Sequence, residues 1–184
     1  MARTMNWSIK KIRLRSVWLL IPAFLILAEP APSTIAAGLV LAIAGGLVRA
    51  WASGTIHKNR ILTTGGPYAY TRNPLYLGTF LTGLGLTIAA GSLPLVAIFL
   101  AFFGTIYVPT MWAEEKTLDK LFGEAFHVYA DNVPLFIPRL RPYRPLEPHA
   151  TEFMMRRYFS HKEYEFALGV SAGFLALIAK MLFF

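Results

Sequence analysis

Long apolar blocks separated by short polar segments dominate the chain. Residues 35–51, 75–90, 93–112 and 166–184 each approach or exceed the run of about 20 apolar residues that a bilayer requires, and none holds an acidic side chain. A shorter block at 17–28 contains Pro22 and follows Lys10, Lys11, Arg13 and Arg15. A basic start before a short apolar core resembles a signal peptide, but the alanines around Ala28 and Ala31 make a poor cleavage site. The expectation is a retained span. The pattern therefore predicts an all-α protein, a multi-pass transmembrane helical bundle of about five spans, read as a single domain over residues 1–184.

Smaller features refine these elements. Only Gly91 and Ser92 separate the third and fourth blocks, and Pro94 suits the first turn of a helix, so these two spans form a tight hairpin. Gly38, Ala42 and Gly46 lie four apart in the second span, and Gly83 and Thr87 give the third a similar small face; such faces let helices approach closely in lipid. Pro109 removes a hydrogen bond near the end of the fourth span and predicts a kink. Leu118, Leu121, Phe122, Phe126 and Tyr129 then recur at helical spacing, as expected of an amphipathic helix on the membrane surface. Residues 133–138, Val-Pro-Leu-Phe-Ile-Pro, are too Pro-rich for a helix and too apolar for a free loop, so they are expected to pack as an extended strap.

The cations orient the bundle. Arg49, Lys58, Arg60 and Arg72 lie on the same side as the basic N-terminus, whereas the opposite turns, around 29–34 and 91–92, hold no Lys or Arg. The positive-inside rule puts the N-terminus, the Tyr-rich loop and the tail after the fourth span in the cytoplasm, with the C-terminus on the other side. The net charge of +8 is thereby accounted for by juxtamembrane cations facing anionic headgroups. A nucleic-acid partner would need a recognition element beside that charge, and the sequence shows none. With no cysteine, disulfides, thiolate metal sites and a cysteine nucleophile are excluded.

Candidate chemistry concentrates in Gly66-Pro67-Tyr68-Ala69-Tyr70-Thr71-Arg72-Asn73-Pro74-Leu75-Tyr76-Leu77-Gly78. Here a polar, Tyr-rich loop runs into a membrane helix that Asn73 can cap and Pro74 can open. The positive end of that helix points towards Arg72 and the tyrosines. Hairpin geometry returns the fourth span to the same side, where Glu114 and Glu115 follow Trp112. In isolation the acid pair reads as a solvated helical turn and Arg72 as a headgroup contact. Together they read as a site.

The signature Gly-Pro-Tyr-x-x-x-Arg-Asn-Pro-x-Tyr-x-Gly, the hairpin, then Glu-Glu-x-x-Leu-x-x-x-Phe-Gly and the Val-Pro-x-x-Ile-Pro strap resemble the isoprenylcysteine carboxyl methyltransferase and phospholipid methyltransferase family of integral membrane enzymes. The resemblance covers residues 65–138. It implies S-adenosylmethionine as methyl donor at the cytoplasmic face and a lipophilic acceptor arriving from the bilayer, with membrane lipids as surroundings. By the same resemblance Tyr68, Arg72, Asn73, Pro74, Tyr76, Glu114, Glu115 and Ile137 bind the cofactor, and Arg72 and Glu115 take part in catalysis. Asn73 stands where the family commonly has His, so a titrating imidazole is replaced by a donor and acceptor suited to positioning. The span at 166–184 follows the strap, and two spans precede the signature where the carboxyl methyltransferase pattern has three.

Methyl transfer from a sulfonium depends on in-line approach in a dry pocket. A carboxylate acceptor could be held by Arg72 without a base. An amine acceptor must first lose a proton, which makes Glu114 or Glu115, or His57 in the same loop, a candidate base. His127, His149 and His161 lack metal-ligand spacing, and no metal is expected. Two other readings stay open: an NADPH-dependent relative of the sterol reductases, which share an Arg-His-Pro-x-Tyr motif but are usually longer, and a non-catalytic membrane scaffold.

Overall fold

The computed structural model describes residues 24, 26–57, 61–144 and 152–183. Among these there are helices and loops and no strand. Helix α1 is Pro32–Thr55, α2 is Pro74–Ala89, α3 is Leu93–Phe122, α4 is Glu124–Asn132, α5 is Met155–Ser160 and α6 is Glu163–Phe183; a 3-10 turn, Gly66–Ala69, precedes α2. α1, α3 and α6 are long and apolar enough to cross a membrane, with mean hydropathies of 1.8, 1.9 and 2.0, and α2 is a shorter apolar helix. The protein is a helical membrane bundle. The expected first span at 17–28 falls almost wholly outside the described residues.

The bundle is built on α1 and α2, which pack backbone to backbone. Lipid offers no hydrophobic drive between helices, so they associate through close van der Waals packing. A Cβ on Gly38 would lie 2.2 Å from Gly85 O, and one on Gly45 would lie 2.6 Å from Gly78 O and 2.5 Å from Thr82 Oγ1. The contacting face of α1 is thus Gly38, Ala42 and Gly45, not Gly46 as its spacing suggested. At about 100° per residue, position i+7 returns to within about 20° of the starting face, whereas i+8 overshoots by about 80°. A Cβ on Gly46 meets open space. Gly83 serves a different neighbour, the ring of Phe99 on α3, and Thr87 bonds back to its own helix.

The α2–α3 turn is as short as expected, with Ser92 at the N-cap position of α3. Gly91 has a φ of +68°, and a Cβ there would meet Glu29 O at 2.2 Å, so this turn requires glycine. Glu29 N–H donates to Ala90 O at 2.7 Å and Thr34 Oγ1 to Ala89 O at 3.2 Å, tying the start of α1 to the turn.

Just before Pro109 the helix runs through a π-turn, Phe103–Tyr107, where the missing N–H leaves a carbonyl without its α-helical donor. One expectation for α3 changes. The surface helix expected to reach Tyr129 is divided at Gly123, whose φ of +51° ends α3 and starts α4. Phe126 and Tyr129 then fold back with Val133 onto Leu62, with Leu118 and Phe122 of α3 at the edge of the cluster. α6 closes the far end of the bundle, its Phe174 and Leu177 buried against Ile35, Ala42, Ala89 and Leu95.

Gly45→Leu should prevent α1 and α2 from closing and lower stability by at least the upper end of the about 1–3 kcal/mol usual for overpacking. Thermal unfolding in detergent, compared with Gly46→Leu, tests this: the first variant should melt well below wild type and the second close to it.

Candidate active site

The loop before α2 and the strap after α4 hold each other through backbone hydrogen bonds. Arg72 N–H donates to Pro134 O at 2.9 Å, Arg139 N–H to Tyr70 O at 2.9 Å and Tyr143 N–H to Ala69 O at 2.9 Å. Thr71 Oγ1 lies 3.2 Å from Leu135 O and 3.0 Å from Phe136 O. Asn73 sits at the N-cap position of α2, but its side chain does not cap; Nδ2 donates to Leu135 O at 3.0 Å. The strap carbonyl is the better partner because a buried amide must be satisfied where an acceptor already faces it.

The strap bends at residues 133 and 135–137. Phe136 turns inward, its ring centroid 5.6 Å from those of both Phe80 and Phe103. Ile137 turns outward, is 77% exposed and is not among the residues that line the cavity.

A cavity of about 670 Å³ opens where the ends of α1, α2, α3 and α6 converge, within the range of about 300–1,000 Å³ typical of small-molecule sites. Tyr68, Arg72, Asn73, Pro74, Tyr76 and Glu114 all line it. Tyr76 OH donates to Glu114 Oε1 at 2.7 Å, joining α2 to α3. Arg72 Nη1 lies 2.8 Å from Glu115 Oε1, with both side chains mostly buried. This is a charge contact out of hydrogen-bond alignment: Arg72 Nε and Glu115 Oε1 are buried without a hydrogen-bond partner. Glu115 itself stands behind Arg72 and does not line the cavity. The two adjacent glutamates therefore separate, one into the cavity and one onto the arginine, as neighbours about 100° apart on a helix must.

Tyr68 is the most telling side chain. It is 7% exposed, lines the cavity, and its hydroxyl has no hydrogen-bond partner. Burial is the main cause that pushes its acidity well out of the ordinary tyrosine range, so it stays a neutral donor. Its carbonyl is held by Tyr129 OH at 2.7 Å, and burial raises the Tyr129 phenol likewise. A buried hydroxyl left unpaired costs about 1–3 kcal/mol, which a polar ligand in the cavity would return.

His57 lines the cavity but contacts Arg157 through Nε2. A guanidinium can only donate, so that nitrogen is the acceptor and its lone pair is occupied. Burial and then the charge of Arg157 lower the imidazole's pKa. His57 is thus neutral but engaged, which corrects its reading as a base. His127 pairs with Asp119 at 3.0 Å and His161 Nδ1 meets Ser53 O at 3.1 Å; His149 lies outside the described residues. Sequence reasoning missed Arg49 and Glu163, which also line the cavity. The available signal was Arg49 as the one cation inside an otherwise apolar block, a costly position that needs a partner.

Residues 33–125, just over half of the chain, match the phospholipid methyltransferase family model. The chain belongs to this family. The match takes in α1, α2, the loop between them, α3 and both glutamates, and ends before the strap and α6. Among curated relatives, the cobalt-zinc-cadmium resistance protein CzcN of Cupriavidus metallidurans is 39% identical over 87 residues, 47% of this chain and 40% of that protein. The nickel-cobalt-cadmium resistance protein NccN of Alcaligenes xylosoxydans xylosoxydans is 37% identical over 87 residues, with the same coverage. The protein-S-isoprenylcysteine O-methyltransferase of Schizosaccharomyces pombe is 32% identical over 82 residues, 45% of this chain and 35% of that protein. The chain thus spans two fifths or less of the length of these relatives. No solved structure matches.

Tyr68→Phe removes the unpaired hydroxyl without changing shape. It should raise the melting temperature of the ligand-free protein, which scanning fluorimetry measures.

Proposed function

We propose that the chain is an integral membrane methyltransferase that uses S-adenosylmethionine to methylate a lipophilic acceptor, either a lipid amine headgroup or a prenylcysteine-like carboxylate. The observation that carries this reading is the unpaired, buried Tyr68 hydroxyl in a cavity whose wall also holds Arg72 and Glu114, inside the family-matched segment. The donor set fits the cofactor: a neutral phenol and a guanidinium for its polar groups, and a carboxylate for its ribose hydroxyls or ammonium. S-Adenosylmethionine supplies an electrophilic methyl group, which an acceptor oxygen or nitrogen takes as the carbon–sulfur bond breaks and its electron pair stays on sulfur.

The chain's own residues do the rest. Arg72 is aimed at the cavity by Glu115 behind it and by its N–H on the strap. For a carboxylate acceptor it holds the anion. For an amine acceptor Glu114, which faces the cavity, is the carboxylate placed to receive the departing proton. Tyr76 orients Glu114. On this reading residues 1–184 form one domain, with the N-terminus and cavity cytoplasmic and the C-terminus opposite. Two relatives carry metal-resistance names; among the described residues no group of three or more His, Asp or Glu side chains is arranged to hold a metal.

Calorimetry on the detergent-purified protein should show micromolar binding of S-adenosylmethionine and S-adenosylhomocysteine, and none of NADPH. Arg72→Ala should abolish methyl transfer to a lipid extract. Glu115→Gln, which strips Arg72 of its counter-charge, should do so with little effect on folding. Binding of NADPH instead of the adenosyl ligands would move the protein to the reductases.

A further inference from the structure

Helix α6 lies beyond the family-matched residues, yet it completes the cavity wall with Glu163 and Phe166. Arg49 on α1 meets Glu163 through Nε to Oε2 at 3.0 Å and Nη2 to Oε1 at 2.9 Å, a two-pronged pair that is 17% and 11% exposed. The guanidinium carbon sits 3.9 Å from the centroid of the Phe166 ring. Its remaining nitrogen donates to Thr79 Oγ1 and Leu75 O on α2. A second cavity, of about 410 Å³, lies between α1 and α6 and shares Arg49, Glu163 and Phe166 with the first. Its walls are otherwise mostly apolar, with Leu39, Ile43, Val170 and Phe174 among them, and Arg49 and Glu163 are its only charged residues among the described ones. Leu39, Ile43 and Leu175 are exposed along this groove.

We propose that the α1–α6 groove takes the hydrocarbon chain of the methyl acceptor, and that Arg49, Glu163 and Phe166 form the threshold where its headgroup passes into the cavity. The proposal rests on the methyltransferase reading. Hydrocarbon is the occupant that the walls select, since an unfilled apolar groove in lipid forfeits its dispersion contacts. The charged end fixes which way the amphiphile lies. A carboxylate or phosphate finds Arg49 and an ammonium finds Glu163, each exchanging one partner for another rather than leaving a buried charge alone. Glu163 and Phe166 are then specificity-determining residues contributed by a helix outside the family core.

Gly46 lines the groove and Gly169 stands on α6 outside it; a Cβ on either meets open space, so added bulk is tolerated by the fold. The full chain is placed in phosphatidylcholine nanodiscs with a phosphatidylethanolamine probe carrying a photoactivatable diazirine in its acyl chain. Labelling should concentrate on residues 39–46 and 170–175. Gly46→Phe should abolish that labelling and methyl transfer to lipid while leaving S-adenosylhomocysteine binding intact, and Gly169→Phe should change none of the three. Labelling of these residues that survives Gly46→Phe overturns the groove. If the wild type fails to bind S-adenosylhomocysteine, the methyltransferase reading falls, and the labelling still decides whether the groove holds a chain. Glu163→Gln should raise KM for the lipid acceptor about tenfold or more, the scale of one charged hydrogen bond, with Glu163→Asp partly restoring it. A lowered melting temperature with an unchanged KM in Glu163→Gln would reduce the ion pair to a structural pin and overturn the threshold.

Discussion

Everything at the site depends on how closely α1 and α2 approach. In water two helices are driven together by the area they hide; in lipid that drive is missing, and contact must come from shape. Gly38 and Gly45 meet Gly85 and Gly78 with no room for a Cβ between them. That approach carries Arg49 to within reach of Thr79 and Leu75 near the start of α2. It also lets α6 lean on both helices. A wider spacing would separate the residues that line the cavity, which come from several helices and from the loop before α2.

The second constraint is the mutual grip of the loop at 66–73 and the strap at 133–138. Beyond the 3-10 turn at Gly66–Ala69 the two segments have no regular structure of their own, so their buried backbone groups must find partners in each other. The hydrogen bonds of Arg72, Thr71, Asn73 and Arg139 meet that need and fix the position of Arg72 at the same time. Structure and chemistry are thus coupled: the residues that keep the strap in place are next to those that face the cavity. The unpaired hydroxyl of Tyr68 and the misaligned Arg72–Glu115 contact are the exceptions. They sit where a polar ligand would complete them.

Chain order conceals how the site is assembled. The family-matched segment supplies Tyr68, Arg72, Tyr76 and Glu114, which form one wall. The opposite wall needs Glu163 and Phe166, more than a hundred residues away from Arg49 and on a helix that the family model does not include. Residues from outside a family core are free to differ between relatives without disturbing the part that the family shares. They are natural places for acceptor specificity to reside.

By itself the sequence determined the membrane helices, the α2–α3 hairpin, the common end at which the loop and the glutamates meet, and the non-helical strap. These follow from local quantities: the length of an apolar run, the absence of an N–H in proline, and the 3.6-residue period. Tertiary structure alone decided which small residues face which helix, since a rotation of one residue moves a glycine from the α1–α2 seam at Gly45 to the open groove at Gly46. It alone turned Asn73 from a cap into a strap anchor, pointed Phe136 in and Ile137 out, sent Glu114 to the cavity and Glu115 to Arg72, and paired Arg49 with Glu163. Each of these is a choice between partners that local sequence offers equally. It is settled by which acceptor, charge or free volume the folded bundle brings within a few ångströms.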